Sequence, residues 1–103
     1  MDYIDKIEIK INDFVNKMEL FIVPNTLRVY VKENVKSINK DELDRLLRII
    51  CKWNHQYIDK RIIDAQMFRI RIYTNNGVDE YFGSGVYPDN YSEFLELVRG
   101  IYG

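Results

Sequence analysis

A thiol, an imidazole and a carboxylate recur at four-residue intervals near the middle of the chain. Cys51, His55 and Asp59 would share one face of a helix that extended over them. The set has the residue types of a nucleophile, its base and an orienting acid, and it supplies three types of zinc ligand. The structural alternative is that Cys51 packs as a small apolar side chain while the other two are solvated. The chain contains one Cys and one His, which cannot complete a zinc site of the usual composition, so we expect no metal.

Other known catalytic and nucleotide-binding motifs are not matched by the spacing of residues in this chain. Ser84 lies between Gly83 and Gly85, but a nucleophile elbow needs glycines two positions before and two after the serine, where this chain has Phe82 and Val86. The sequence contains neither a Walker phosphate loop nor a dinucleotide glycine fingerprint. We therefore expect a protein that is not an enzyme and uses no cofactor.

Alternation in the predicted strands places basic and aromatic side chains together on one face of a sheet. If Val29, Val31, Ile70 and Ile72 point into the core, their neighbours in sequence point the other way. That opposite face would carry Arg28, Tyr30, Lys32, Arg69, Arg71, Tyr73 and Phe82. Such a surface can hold single-stranded nucleic acid or a protein partner. The structural alternative is that the long Arg and Lys stems only cover a solvated or helix-covered sheet.

Tyrosines near the C-terminus give a second candidate contact surface. The chain has eight tyrosines, and Tyr81, Tyr87 and Tyr91 flank a predicted glycine bend and the start of the last helix. Because Tyr offers a large contact area with a polar tip, it is enriched at the centres of protein interfaces. This C-terminal corner therefore favours a protein partner at least as much as nucleic acid.

Two periodicities compete in the segment that precedes these strands. Ile4, Ile7, Ile11, Phe14 and Met18 step by three and four, which predicts one apolar face of a helix over residues 4–18. The isoleucines at positions 7, 9 and 11 also alternate, which would suit a strand. We expect the helix, because five positions fit the longer period.

The rest of the chain shows clearer signals. Residues 18–23, 27–32, 68–73 and 78–82 read as strands, with Asn76-Gly77 as the centre of a type I′ hairpin turn. Asn39 begins a helix, and Pro88-Asp89-Asn90 begins another that Gly100 would end. The inward stripe predicted for the first of these two helices is Leu43, Leu46, Leu47, Ile50, Trp53 and Tyr57. The predicted fold is a single α+β domain over residues 1–103, a four-stranded, mainly antiparallel sheet with three helices in the order α-β-β-α-β-β-α.

The composition of the chain narrows the cellular compartment and the class of partner that we expect. The chain has 103 residues, 47% hydrophobic content and a net charge of −1. Near-zero charge argues against a non-specific DNA binder, whose affinity depends on neutralising phosphates. The lone Cys51 fits a reducing compartment, the acidic N-terminal residues do not suit a secretory signal, and no apolar run approaches the ~20 residues of a membrane span. We expect a cytoplasmic protein with no membrane association.

The C-terminal third, FRIRIYTNNGVDEYFGSGVYPDNYSEFLELV, resembles the ends of small uncharacterised proteins of low-GC Gram-positive bacteria and their phages and mobile elements. Gly83-Ser84, Tyr87-Pro88, Asn90 and the Phe94-Leu95 pair carry this resemblance. In size and near-neutral charge the whole chain is also similar in type to phage-borne inhibitors of host defence, anti-CRISPR proteins among them.

Three functions are consistent with these observations. The first is a non-enzymatic protein-binding module, of which an inhibitor that occludes a surface of a host defence protein is one form. The second is a small RNA-binding or single-strand-binding domain that uses the basic sheet face. The third is a structural protein that forms homodimers through its first helix.

Overall fold

The computed structural model describes residues 3–12, 17–62 and 66–103. Within these residues the chain forms seven strands and two helices, which pack as an α+β fold. The strands are β1 (Ile4–Asn12), β2 (Lys17–Val23), β3 (Arg28–Val31), β4 (Asn34–Ser37), β5 (Gln56–Ile58), β6 (Met67–Thr74) and β7 (Gly77–Ser84). The helices are α1 (Lys40–Ile50) and α2 (Tyr91–Tyr102).

All seven strands belong to one sheet in the order β4-β3-β2-β1-β6-β7-β5. Neighbouring strands are antiparallel except for β5, which pairs with β7 in parallel. The fold class predicted from the sequence is therefore wrong in its counts, because the sheet has seven strands rather than four and the described residues contain two helices rather than three.

The largest error is the predicted first helix, which the structure replaces with β1 and the beginning of β2. Ile7, Ile9 and Ile11 are all buried on the same side of β1. A helix would have turned Ile9 away from the other two, whereas a strand buries all three, and β-branched side chains favour that choice. Phe14, the fourth member of the helical pattern, lies outside the described residues. The homodimer contact expected on the first helix is lost with that helix.

Helix α1 begins as predicted and ends earlier. The Asn39 side chain accepts a hydrogen bond from the Asp41 backbone N–H at 2.7 Å, which caps the first turn. The helix ends at Ile50, so Trp53 and Tyr57 reach the core from the loop and from β5 rather than from the predicted helical stripe. Leu43, Leu46, Ile49 and Ile50 are the buried residues of α1. Leu47, predicted to point inward, is only partly buried against the core.

The hairpin between β6 and β7 exists, but its centre lies one residue earlier than predicted. Thr74 pairs with Gly77, so Asn75 and Asn76 form the two-residue loop. The turn is not of type I′, because that type needs positive φ at both loop residues and only Gly77 has it here, at 131°. The shift moves each cross-strand partner by two positions, which leaves every side chain on its predicted face.

Helix α2 continues past Gly100 to Tyr102, so the predicted stop at that glycine is wrong. Phe94 and Val98 are fully buried, and Tyr91 and Ile101 nearly so. Asn90, at the start of this helix, accepts a hydrogen bond from the Trp53 indole N–H at 2.7 Å. Its side chain therefore ties α2 to the end of α1 instead of capping its own helix.

Both helices pack on one face of the sheet, where the core lies. Alternate residues of the strands, among them Ile7, Leu20, Val29 and Ile70, join the inward faces of the two helices in a single hydrophobic cluster. The opposite face carries half-buried and exposed side chains throughout, and neither helix covers it. None of the helices in the described residues is long and apolar enough to cross a membrane.

Candidate binding face

The open face of the sheet, meaning the side away from α1 and α2, carries every residue predicted for the basic and aromatic platform. Pairing places Tyr30 beside Phe21, Arg71 beside Glu8 and Glu80, and Arg69 beside Phe82. The predicted residues on this face are Arg28, Tyr30, Lys32, Arg69, Arg71, Tyr73 and Phe82. None of them is buried, which excludes the alternative that a helix covers the platform; their role in binding stays a prediction.

Strands β1 and β2 add residues to the open face that the sequence analysis missed. The additional charged and aromatic members are Lys6, Glu8, Lys10, Lys17, Glu19 and Phe21. The signal that would have found those on β1 was the alternation of Ile7, Ile9 and Ile11, because polar residues between buried ones must point outward. In the described residues, seven basic and three acidic side chains occupy strand positions on this face or, for Lys32, the turn that follows β3.

A network of ion pairs occupies the centre of the open face. The Arg71 guanidinium donates to Glu80 Oε2 at 2.6 Å and lies 3.8 Å from Glu8 Oε1. Arg69 approaches the other carboxylate oxygen of Glu80 at 4.0 Å, beyond hydrogen-bonding distance. The hydrogen bond with Arg71 lowers the pKa of the Glu80 carboxyl, and the same bond raises the pKa of Arg71. Both groups therefore stay charged at neutral pH.

The aromatic rings of the open face already lie against cations or rings of the chain itself. Phe21 and Tyr30 stack on each other with centroids 4.7 Å apart. The Lys6 ammonium lies 4.7 Å from the Tyr73 centroid and 5.5 Å from that of Phe21. The Arg69 guanidinium lies over Phe82 at 5.4 Å. These cation–π contacts hold positive charge above rings that would otherwise be free for stacking.

Apolar side chains are also exposed among the charges. Phe21 is 37% exposed, Met67 41%, and Val35 and Val78 54% each, and their strand partners place all four on the open face. Scattered single apolar residues are normal on a soluble surface. Four of them lie on the same face as the cations, so this face has both apolar area and charge.

Two of the three tyrosines of the C-terminal corner are buried on the core side, and Tyr87 is half-buried; a role for this corner in binding stays a prediction. Tyr81 is 7% and Tyr91 8% exposed. Tyr91 donates to the Gln66 side chain and Tyr87 to the Gln66 carbonyl, both at 2.7 Å, and the two rings stack on each other. Burial raises the pKa of both Tyr91 and Tyr81. Tyr87 and Tyr91 hold the start of α2 to Gln66 and to Phe68 of β6, whereas Tyr81 stacks on His55.

Cys51, His55 and Asp59 do not share a helical face, because α1 ends before them. The Cys51 thiol is exposed and donates to the Arg48 carbonyl at 3.3 Å. The His55 ring stacks on Tyr81, and Asp59 pairs with Arg61 at 3.0 Å, which lowers the pKa of Asp59. Over residues 3–12, 17–62 and 66–103, no group of three or more His, Cys, Asp or Glu side chains is placed to hold a metal ion.

Comparisons of the chain with protein-family models, with curated proteins and with solved structures found no match.

Proposed function

We propose that this chain is a small non-enzymatic binding domain that holds a protein partner on the open face of its sheet. The observation that supports this most is the position of the cations. Lys6 and Arg69 lie over Tyr73 and Phe82, so positive charge is held on aromatic supports at fixed places. A partner surface with carboxylates at matching places would gain both ion pairs and apolar contact.

The same positions disfavour single-stranded nucleic acid. Sheets that bind single strands leave ring faces free for bases to stack on, whereas Phe21 is stacked on Tyr30 and Lys6 lies near both Phe21 and Tyr73. Acidic side chains also lie between the basic side chains of this face. Glu8 and Glu80, at its centre, would repel phosphates. Mixed charge with exposed apolar area suits a protein surface better.

Such a domain would act by covering the surface it binds. The open face extends across the sheet from β4 to β7, so a partner surface bound there would be covered. Occlusion is the mechanism expected of an inhibitor. The narrower identification, as an inhibitor of a host defence protein, stays a prediction from the similarity of the chain in size and charge to such inhibitors.

The proposal predicts which surface variants lose the partner. The immobilised full chain and its Arg28→Glu and Tyr30→Ala variants would each capture protein from a bacterial lysate, with quantification by mass spectrometry. We expect both variants to reduce capture of the specific partner by about tenfold or more, because interface Arg and Tyr residues often contribute over ~1.4 kcal/mol each. Lys52→Glu is the matched control, since it makes a similar charge reversal at an exposed residue just beyond α1.

Nuclease and salt separate the two classes of partner. A protein complex should survive nuclease treatment and weaken only moderately with salt, whereas phosphate binding falls steeply with salt. Capture that disappears with nuclease would replace the protein partner with nucleic acid. Equal capture by wild type, both face variants and the control would show that the open face is not the binding surface.

A further inference from the structure

A pocket lies at one end of the open face and is lined by residues of β1, β2, β6 and β7. It has a volume of about 220 Å³. The side chains of interest in its lining are Lys10, Lys17, Glu19, Met67, Arg69 and Phe82. Three of these are basic and one is acidic, while Met67 and Phe82 supply apolar walls. The pocket is therefore positive and partly apolar.

Arg69 has an unused hydrogen-bond donor in this pocket. Its Nε is buried and has no hydrogen-bond partner, and it is the one side-chain polar atom of the described residues in that state. Glu80, the nearest carboxylate, lies 4.0 Å from that nitrogen and is engaged by Arg71 at 2.6 Å. Buried donors in folded proteins nearly always have an acceptor, because an unpaired one is costly. The Arg69 side chain as a whole is 43% exposed, so a ligand acceptor would first meet the exposed atoms of the guanidinium, and a rotation of the side chain toward it would then satisfy Nε.

The surroundings of Arg69 fix where that acceptor must lie. Phe82 lies against the guanidinium at 5.4 Å, which limits the approach from that side. Lys10 is only loosely held, since its ammonium lies 3.8 Å from Glu8. Lys17 is paired with Glu19 at 3.2 Å, so those two charges largely offset each other. The net attraction for an anion therefore comes from Arg69 and Lys10.

We propose that this pocket takes the carboxylate of a glutamate or aspartate side chain on the protein partner, with the Arg69 guanidinium as donor and Lys10 as a second cation. A carboxylate is planar and matches the guanidinium fork, and the apolar walls suit a hydrophobic residue next to the acid. This inference depends on the proposed function, because it names a chemical feature of the partner that the open face would bind.

The experiment is an NMR titration of the full chain with two matched peptides. The first is acetyl-Ala-Leu-Glu-Phe-Ala-amide and the second has Gln in place of Glu. The signal of the Arg69 Nε–H group is assigned by its loss in the Arg69→Gln variant. We expect the Glu peptide to shift this signal and the Gln peptide to leave it unchanged. Arg69→Gln should weaken binding of the Glu peptide by about tenfold or more, as expected for a charged hydrogen bond. Lys52→Gln, an equal change of charge at an exposed residue just beyond α1, should weaken it by less than about twofold.

Three results would overturn the inference. These are equal shifts with both peptides, unchanged binding by Arg69→Gln, and a shift produced by inorganic phosphate but not by the Glu peptide. The outcome is separable from that of the proposed function. If Arg69→Gln retains the lysate partner while Arg28→Glu and Tyr30→Ala lose it, the pocket is not used but the open face still binds. If all three variants retain the partner, the proposed function fails as well.

Discussion

At the scale of single residues, the fit between Gly83 and Phe68 determines how β6 and β7 pack against the core. The two residues face each other across β6 and β7. Phe68 is fully buried and its ring contacts Trp53 and Phe94, which come from the helix side. A Cβ at position 83 would lie 2.1 Å from Phe68 Cε1. The absence of a side chain at Gly83 is therefore what lets the Phe68 ring lie flat against the sheet.

Two glycine substitutions with the same chemical change should have opposite effects. Gly83→Ala should lower the free energy of unfolding by ~1–3 kcal/mol, because the Phe68 ring must move within a packed core. Gly100→Ala meets nothing within 4 Å and lies inside α2, so it should raise stability by up to ~1 kcal/mol through its higher helix propensity. Urea denaturation of both variants measures the two values. A Gly83→Ala midpoint equal to that of wild type would mean that the ring is not confined.

Tyr91 should make the fold sensitive to alkali. Burial raises the pKa of Tyr91 above its ordinary value of 10.0, so the folded chain holds this proton more tightly than the unfolded chain. The resulting stability is complete below pH ~10 and is lost as the pH rises above the unfolded pKa. The loss is at most ~1.4 kcal/mol per pH unit for this group.

The test compares urea denaturation near neutrality and in alkali for wild type and Tyr91→Phe. The variant should be less stable by ~1 kcal/mol at neutral pH, because it loses the hydrogen bond to Gln66. Its stability should then decline less steeply above pH ~10 than that of wild type. Parallel declines in the two proteins would show that Tyr91 does not titrate differently in the folded and unfolded states.

At the scale of the elements, the sequence predicts an element well where a single periodicity is present. Strand β3, helix α1 and the hairpin of β6 and β7 each show one clear period with a cap or turn signal, and each is found. The prediction for the first segment was wrong because Ile7 and Ile11 fit both the helical and the strand period. Their four-residue spacing puts them on one face of a helix and also on one face of a strand. Ile9 distinguishes the two, and its burial is decided by the neighbours β2 and β6, which local sequence does not contain.

Adjacent leucines in α1 test the inward face of that helix. Leu46 is fully buried, whereas Leu47 is partly exposed beside Cys51 and Ile72. Leu46→Ala should therefore cost ~2–5 kcal/mol through a cavity in the core. Leu47→Ala should cost roughly 1 kcal/mol, because less apolar area is removed from contact. Thermal or urea midpoints of the two variants measure the difference. An equal loss of stability at both positions would show that the inward face of α1 has been assigned incorrectly.

At the scale of the whole molecule, the two faces of the sheet have different roles. One side, with α1 and α2, holds the core, and the other is free to meet a partner. The sequence predicted seven residues of that open face because strand alternation depends only on neighbouring residues. It did not predict Lys6 or Lys10, because the periodicity over residues 4–18 predicts a helix there. Phe21 lies in the predicted strand over residues 18–23, to which the sequence pattern assigns no outward face. The pocket around Arg69 could not be predicted either, because it depends on four strands that come together at one end of the sheet.

The central pairing of β1 with β6 also determines when the sheet can form. Ile7 and Ile72 are partners in the middle of the sheet, yet most of the chain lies between them. On the ribosome, β1 to β4 emerge first and can form only a meander with one unpaired central edge. Closing so long a loop carries an entropic cost, and folds that depend on distant pairings fold slowly. Until the last third has been synthesised, the nascent chain therefore leaves one edge of β1 unpaired, and an unpaired strand edge is a site at which chains can aggregate.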